Sequence, residues 1–310
     1  MNAHVAVLVK DPQILDQLKT AAEKTHFIFE NVSNINDYPK ESFVICDRET
    51  ILEKADELKQ IDRYFLYVIS SETDEENMRL VENHGLHHLV GKNEGIYAPE
   101  IINHLNKAYH KKIWGLQTYL EETSEIREIS FSDSKLTNEM IEEALGHFDF
   151  QDYFSSPIEY IQVMANELIS NSLYKGPSKK RLEQGLENID RKSPVFLKGS
   201  DLVKVCLGMD SKGVALSVQD SFGGLSYDLL MASLKRSFQE KTVMEKKDGA
   251  GLGLYITFLH SNQFIINFRK DFRTEVICII EKNKRYKNYK QRIRSFHFFQ
   301  EVSSEKTTNK

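Results

Sequence analysis

The chain has 310 residues, of which 28% are charged and 40% hydrophobic, with a formal net charge of −5. A chain of this length is expected to form two domains at roughly 100–200 residues each, and its composition is that of an ordinary soluble protein. The mild acidity gives no strong signal for nucleic acid, no run reaches the roughly 18 apolar residues of a membrane span, and Met1–Lys10 lacks the basic-then-apolar order of a secretory signal.

Short apolar runs alternate with helical patterns through the first part of the chain. Val5–Val9, Phe27–Val32, Ser42–Cys46, Tyr64–Ile69 and His88–Val90 read as strands. Pro12–Lys24, Ile51–Leu58, Glu75–Asn83 and Ala98–His110 read as the helices between and after them. Continuous apolar strands separated by helices predict a parallel sheet covered on both faces. Five such units over residues 1–108 predict a flavodoxin-like, doubly wound α/β domain.

The helical pattern runs on from Ala98 to Leu120, which predicts a connecting helix over residues 109–125. Beyond it, Ile126–Phe131 reads as a strand, Thr137–Phe148 and Pro157–Tyr174 as helices, and Gly176–Lys198 as a long polar loop. Strands at Leu202–Leu207 and Val214–Val218 precede helices at Tyr227–Phe238 and Leu252–Ser261. Strands at Phe264–Phe268 and Thr274–Ile280 close a domain over residues 126–282. Long helices beside a sequential sheet predict a two-layer α/β sandwich. Residues 283–310 read as a basic tail, with Ser295–Phe299 apolar enough to dock on the protein or on a partner. Cys46, Cys206 and Cys278 each lie in apolar, strand-like runs and read as reduced core thiols of a cytoplasmic protein.

Three stretches carry chemistry. Glu167 and Asn171 stand one turn apart on a helix whose apolar face runs through Ile158, Ile161, Ala165 and Leu168. An amide oxygen can hold Mg²⁺, and a carboxylate one turn earlier can take a proton. Asp220 shares strand parity with Val214, Leu216 and Val218, so it points to their buried side, where a carboxylate needs a partner. An adenine amino group would serve. Phe222-Gly223-Gly224 then lets a backbone pass close to a ligand. Gly249-Ala250-Gly251-Leu252-Gly253 opens a helix, and free N–H groups there can hold phosphate.

Each stretch alone is weak, but their order and spacing are specific. Glu167–Asn171 resembles the Asn box of the histidine kinase, gyrase and chaperone ATPase superfamily. Asp220–Gly224 resembles its first glycine box, Gly249–Leu254 its second, and Leu225–Asp248 its ATP lid with Phe238 as the lid aromatic. Thr274 resembles the threonine placed near the adenine. The resemblance covers about Ile126–Ile280 and implies ATP and Mg²⁺ as ligands. It implies ATP contacts from Asn171, Asp220, Gly224, Gly249, Gly251, Gly253 and Thr274, metal on Asn171, and Glu167 as base. Phe222 departs from the usual pattern by replacing the first glycine of its box.

The layout is similar to that of anti-sigma-type serine kinases, whose Glu four residues before the Asn acts as base. A histidine kinase would need a phosphoacceptor on a helical hairpin. His110 is the candidate on the connecting segment, and room for the hairpin is lacking.

Val5–Leu18 resembles the opening of a response-regulator receiver. Asp47, Ser70 and Lys92 end the third, fourth and fifth strands, where receivers place the phosphoacceptor, a hydroxyl and a lysine. Asp11 would help hold Mg²⁺. Lys10 stands where receivers carry a second acid, and Asn93 stands in place of the usual proline. Together these resemblances imply a receiver-like input domain controlling a kinase-like output domain, with a protein as target or regulator and a phosphodonor upstream. The rivals are a non-catalytic ATP-dependent docking switch and an atypical histidine kinase.

Overall fold

The computed structural model describes residues 3–35, 38, 42–121, 124–132, 137–183, 185, 195–239 and 252–301. The chain is a mixed α/β protein with both parallel and antiparallel strand pairs. It separates into two compact units, one Met1–Ile113 with Arg292–Phe298, the other Trp114–Gln291 with the residues from Phe299 on. Among the described residues no helix is long and apolar enough to cross a membrane.

The first unit alternates strand and helix: β1 (Ala3–Leu8), α1 (Pro12–Ala22), β2 (Phe27–Asn31), β3 (Phe43–Asp47), α2 (Arg48–Glu53), α3 (Ala55–Leu58), β4 (Leu66–Ser70), α4 (Asp74–His84), β5 (His88–Gly91) and α5 (Tyr97–Tyr109). The local signals are chemical. Pro12 opens α1 behind Asp11, whose carboxylate takes the Gln13 N–H. Thr73 and Glu76 form a capping box on α4, and Gly85 ends it at φ 60°. The strands run parallel in the order β2-β1-β3-β4-β5. Every residue of β3, β4 and β5 is buried, as expected of strands covered on both faces. The strand order reverses between β1 and β3, and the crevice beyond the strand ends at such a point is where open α/β sheets bind ligands.

The second unit contains β6 (Glu125–Phe131), α6 (Thr137–Leu145), α7 (Pro157–Glu183), β7 (Val203–Met209), β8 (Gly213–Asp220), α8 (Tyr227–Gln239), α9 (Leu252–Leu259), β9 (Gln263–Arg269), β10 (Arg273–Glu281) and α10 (Tyr286–Gln291). Its strands pair antiparallel in the order β9-β10-β8-β7-β6. In the β8–β10 register Asp220 lies opposite Thr274 and Val218 opposite Val276. These residues therefore share one face of the sheet, the one α7 covers.

The opposite face carries a buried carboxylate. Glu275 accepts from Ser217 Oγ at 2.7 Å, Asn267 Nδ2 at 2.9 Å and the Gly115 N–H at 3.0 Å. That last bond explains why the expected connecting helix over 109–125 does not form. The helix α5 stops at Tyr109, Lys111 and Gly115 take positive φ, and Trp114 lies against Arg273, 4.9 Å from the guanidinium. The chain is drawn out of helical geometry to satisfy Glu275.

Three further expectations are corrected. The loop expected from Gly176 is helical as far as Glu183, despite Pro177. Gly176 there lies under the Phe222 ring, where a Cβ would collide, and this packing holds the turn. The single helix expected over Ile51–Leu58 is two short helices broken at Lys54. The basic tail is built into the fold as far as it is described. Tyr289 of α10 is buried, stacks on Phe154 and donates to the His260 carbonyl. The final strand β11 (Ser295–Gln300) pairs antiparallel with β5 through Phe296–Leu89 and His297–His88. Among the described residues its lysines and arginines extend outward from that apolar framework, apart from Arg292, which is half-buried, and Arg294, which is buried against Asp74.

Candidate functional site

In the second unit a cavity of about 460 Å³ lies between the sheet and the helices α7 and α8. Asn171, Ser172 and Gly176 come from α7, Asp220 and Gly224 from the end of β8 and the turn after it, Thr274 and Val276 from β10. Leu229, Ala232 and Arg236 of α8 form the remaining wall.

Asp220 sits where strand parity directs it. Its Oδ1 accepts the N–H groups of Phe222 at 2.9 Å and Gly223 at 3.3 Å. The Ser172 hydroxyl reaches Oδ2 only at 3.5 Å, the limit of a hydrogen bond. Burial pushes the carboxyl up to about 6, against the lowering effect of these donors. Thr274 Oγ1 and Asn171 Nδ2 are buried in the same cavity with no hydrogen-bond partner. Buried polar groups are normally satisfied, so a raised carboxyl beside two orphaned polar atoms marks a place for a polar ligand. The Asn171 amide can present either its nitrogen or its oxygen by a flip.

Glu167 stands apart from this cavity. It lies against the first turn of α9, where a Cβ on Gly253 would run into its carboxylate. The N-terminus of a helix favours an anion. Gly249 and Gly251 lie outside the described residues. Phe238 closes the end of α8 against Tyr255, with ring centroids 4.7 Å apart.

Phe222, the departure in the first glycine box, is buried with its ring against Gly176, and Gly223 carries the turn instead. Gly223 adopts φ 60°, and a Cβ there would strike the Arg269 carbonyl and the N–H groups of Asp271 and Phe272. Gly223→Ala is expected to cost about 1–3 kcal/mol from the left-handed backbone alone, read as a lower urea midpoint. An unchanged midpoint would show that the turn relaxes freely.

In the first unit a crevice of about 350 Å³ opens at the strand ends, lined by Lys10, Asp11, Asp47, Ser70 and Lys92. Asp47 is buried and caps α2, its Oδ1 taking the Thr50 N–H at 2.9 Å and its Oδ2 the Lys10 N–H at 2.6 Å. Lys92 pairs with Asp11 at 2.8 Å. That pairing and the Gln13 N–H hold the Asp11 carboxyl below its usual range. The Lys10 ammonium pairs with Glu53, which raises it. The Lys10 ammonium, beside the crevice, is thus paired with Glu53 on α2. His110, the alternative phosphoacceptor, caps the end of α5.

The α8 wall falls within the lid segment expected over Leu225–Asp248, whereas Ser172 was not among the expected site residues. Ser172 follows Asn171 directly and could have been named from that neighbourhood.

No protein-family model matches the chain, and no curated protein matches it. Among solved structures it is similar to a response regulator from Thermotoga maritima, at 17% identity over 36% of this chain and 99% of that one, with a TM-score of 0.30. A likeness at that level says nothing of activity.

Proposed function

We propose that the second unit is an ATP-binding, kinase-like output domain of the histidine kinase, gyrase and chaperone ATPase superfamily, controlled by a receiver-like first unit. The observation that carries this reading is the buried Asp220 carboxyl facing a cavity it shares with the orphaned Thr274 Oγ1 and Asn171 Nδ2. Asp220 would accept from the adenine amino group, with Thr274 beside it. The Asn171 amide oxygen would hold Mg²⁺, which supplies charge neutralisation for the phosphates when bound. Gly224 and Gly253 let backbone approach the ligand, and Glu167 is the base that takes a proton from a hydroxyl or from water. The residues present fit a purine and a hard cation: a carboxylate acceptor, an amide and a hydroxyl beside the apolar walls of Leu168, Val218, Leu229 and Val276, with Lys175 and Arg236 as cations on the same cavity.

The test is incubation of the full chain and co-purified proteins with γ-labelled ATP and Mg²⁺. Acid-stable phosphoserine on a protein supports the serine-kinase layout, and acid-labile phosphohistidine supports the alternative through a histidine. Binding without transfer or hydrolysis leaves a docking switch.

The first unit would receive a phosphoryl group on Asp47, with Asp11 on Mg²⁺ and with Lys92 and Ser70 on the phosphoryl oxygens. Lys92 would have to leave Asp11 to do so, so Mg²⁺ on Asp11 and phosphoryl on Asp47 are coupled. Mg²⁺ with beryllofluoride is expected to shift the amide resonances of Lys92 and Ser70, and Asp47→Asn is expected to abolish the shift. Lys10→Asp, which adds a carboxylate at this crevice, is expected to tighten Mg²⁺ binding. No response in either wild type or Lys10→Asp would leave a docking domain without phosphorylation.

A further inference from the structure

Beyond the Asp47 crevice, the buried polar groups of the first unit converge at one place. Glu100 and His104 are four residues apart on α5, so they share a face. His297 reaches them from β11. Its Nε2 lies 3.0 Å from Glu100 Oε1, and its ring stacks on His104 with centroids 3.6 Å apart. One ligand-type atom from each residue lies within 4.8 Å of the other two. Both histidines are 0% exposed and Glu100 6%.

The surrounding groups orient these side chains. His88 Nδ1 faces His297 Nδ1 at 3.3 Å, which leaves Nε2 of His297 directed at Glu100. Tyr67 stacks on His88 at 4.4 Å and fixes that ring. The Ser295 side chain hydrogen-bonds Glu100 and also takes the Gly91 N–H at 3.0 Å. Metal-binding histidines and carboxylates characteristically have outer partners of this kind.

Two neutral imidazoles and one carboxyl are the donors that hold zinc-class ions. Mg²⁺ and Ca²⁺ take oxygen ligands instead.

We propose that Glu100, His104 and His297 bind a divalent ion of the zinc class, which pins β11 to α5. Ligation takes the Glu100 group as carboxylate and both imidazoles as neutral rings, so any proton held between Glu100 and His297 leaves to solvent, and the His104 ring turns off the His297 stack so that both rings present a nitrogen. The site is independent of the ATP and phosphoryl readings. Because its ligands are buried, the ion enters as the chain folds.

The test uses the full chain expressed in zinc-supplemented medium, dialysed, and assayed for metal by mass spectrometry. About one zinc per chain is expected. Glu100→Gln and His104→Asn are each expected to weaken retention by at least the roughly 10–100-fold that loss of an outer partner costs. The surface pair His26 and His110, with rings 5.4 Å apart, is the control; His26→Ala with His110→Ala is expected to retain the zinc. Absence of zinc, retention unchanged in the two cluster variants, or loss in the surface variant overturns the proposal. If the cluster variants do not fold, cobalt-loaded wild type decides: paramagnetic shifts on the His104 and His297 ring signals support the site, and unshifted rings overturn it.

Discussion

Asp220→Asn is expected to stabilise the ligand-free chain at neutral pH while weakening its hold on ATP. Burial raises the Asp220 carboxyl from 3.8 to about 6 in the folded state. The folded state therefore binds its proton more tightly than the unfolded state does. Between about pH 4 and 6 the unfolded chain has lost that proton and the folded chain has kept it, so stability falls as pH rises through this window. At about 1.4 kcal/mol per unit, the ionised carboxylate costs about 3 kcal/mol above pH 6. An asparagine keeps an oxygen for the Phe222 N–H and carries no charge. The gain, at about 2–4 °C per kcal/mol for a domain of this size, is read by calorimetric melting. The same substitution removes the charged acceptor for the adenine amino group, a loss of about 1.5–3 kcal/mol in binding. A variant that gains stability and loses ATP would show a carboxylate kept for its ligand. One that changes neither would remove Asp220 from any site.

Glu167→Gln is expected to leave ATP binding intact and to lower turnover on the order of 10²–10⁴-fold, because an amide cannot accept the proton. The side chain lies against the start of α9, away from the groups that line the cavity. Binding and turnover should therefore separate cleanly in this variant. The readout is product formation from labelled ATP at saturating nucleotide. Equal turnover in variant and wild type would assign the base elsewhere.

The parts of the fold legible in the sequence were those set by local pattern. The fully buried strands β3 and β4 read as unbroken apolar runs, and a period of two assigned Asp220 to the side of Val218. The helix α7 declared its core face through Ile161, Ala165 and Leu168, whereas Ile158, expected on the same face, is exposed at its first turn. Features that depend on distant partners were not legible. Nothing near Gly115 announces that its N–H serves Glu275, 160 positions away. Nothing near Pro177 announces the Phe222 ring that packs on the preceding glycine. Tyr289 and the apolar run Ser295–Phe299 were readable as packing residues among the basic ones, but the pairing of that run with β5 was not. At the crevice of the first unit, residue identities were readable but their pairings were not. Whether Lys92 faces Asp47 or Asp11, and where the Lys10 ammonium goes, depends on the capping of α1 and α2 and on Glu53.

The buried Glu100–His297 contact also bears on how the first unit is held together. A strand from the far end of the chain joins β5 through His297 and His88, while Arg294 pairs with Asp74 at the start of α4. The Asn93 side chain clasps Ile293 from both sides, donating to its carbonyl at 2.8 Å and accepting its N–H at 3.1 Å. The residue that stands in place of the usual receiver proline thus anchors the segment leading into β11.

The most direct measurement of the central reading is calorimetric titration of the full chain with ATP and Mg²⁺ across pH, with Asp220→Asn measured at the same pH values to cancel the titration of the phosphates. The expected result is one ATP per chain, held more tightly by wild type than by the variant at neutral pH, with that advantage lost as pH falls below about 6 and Asp220 takes up its proton. No binding by wild type, or equal affinity in both proteins at every pH, would contradict it.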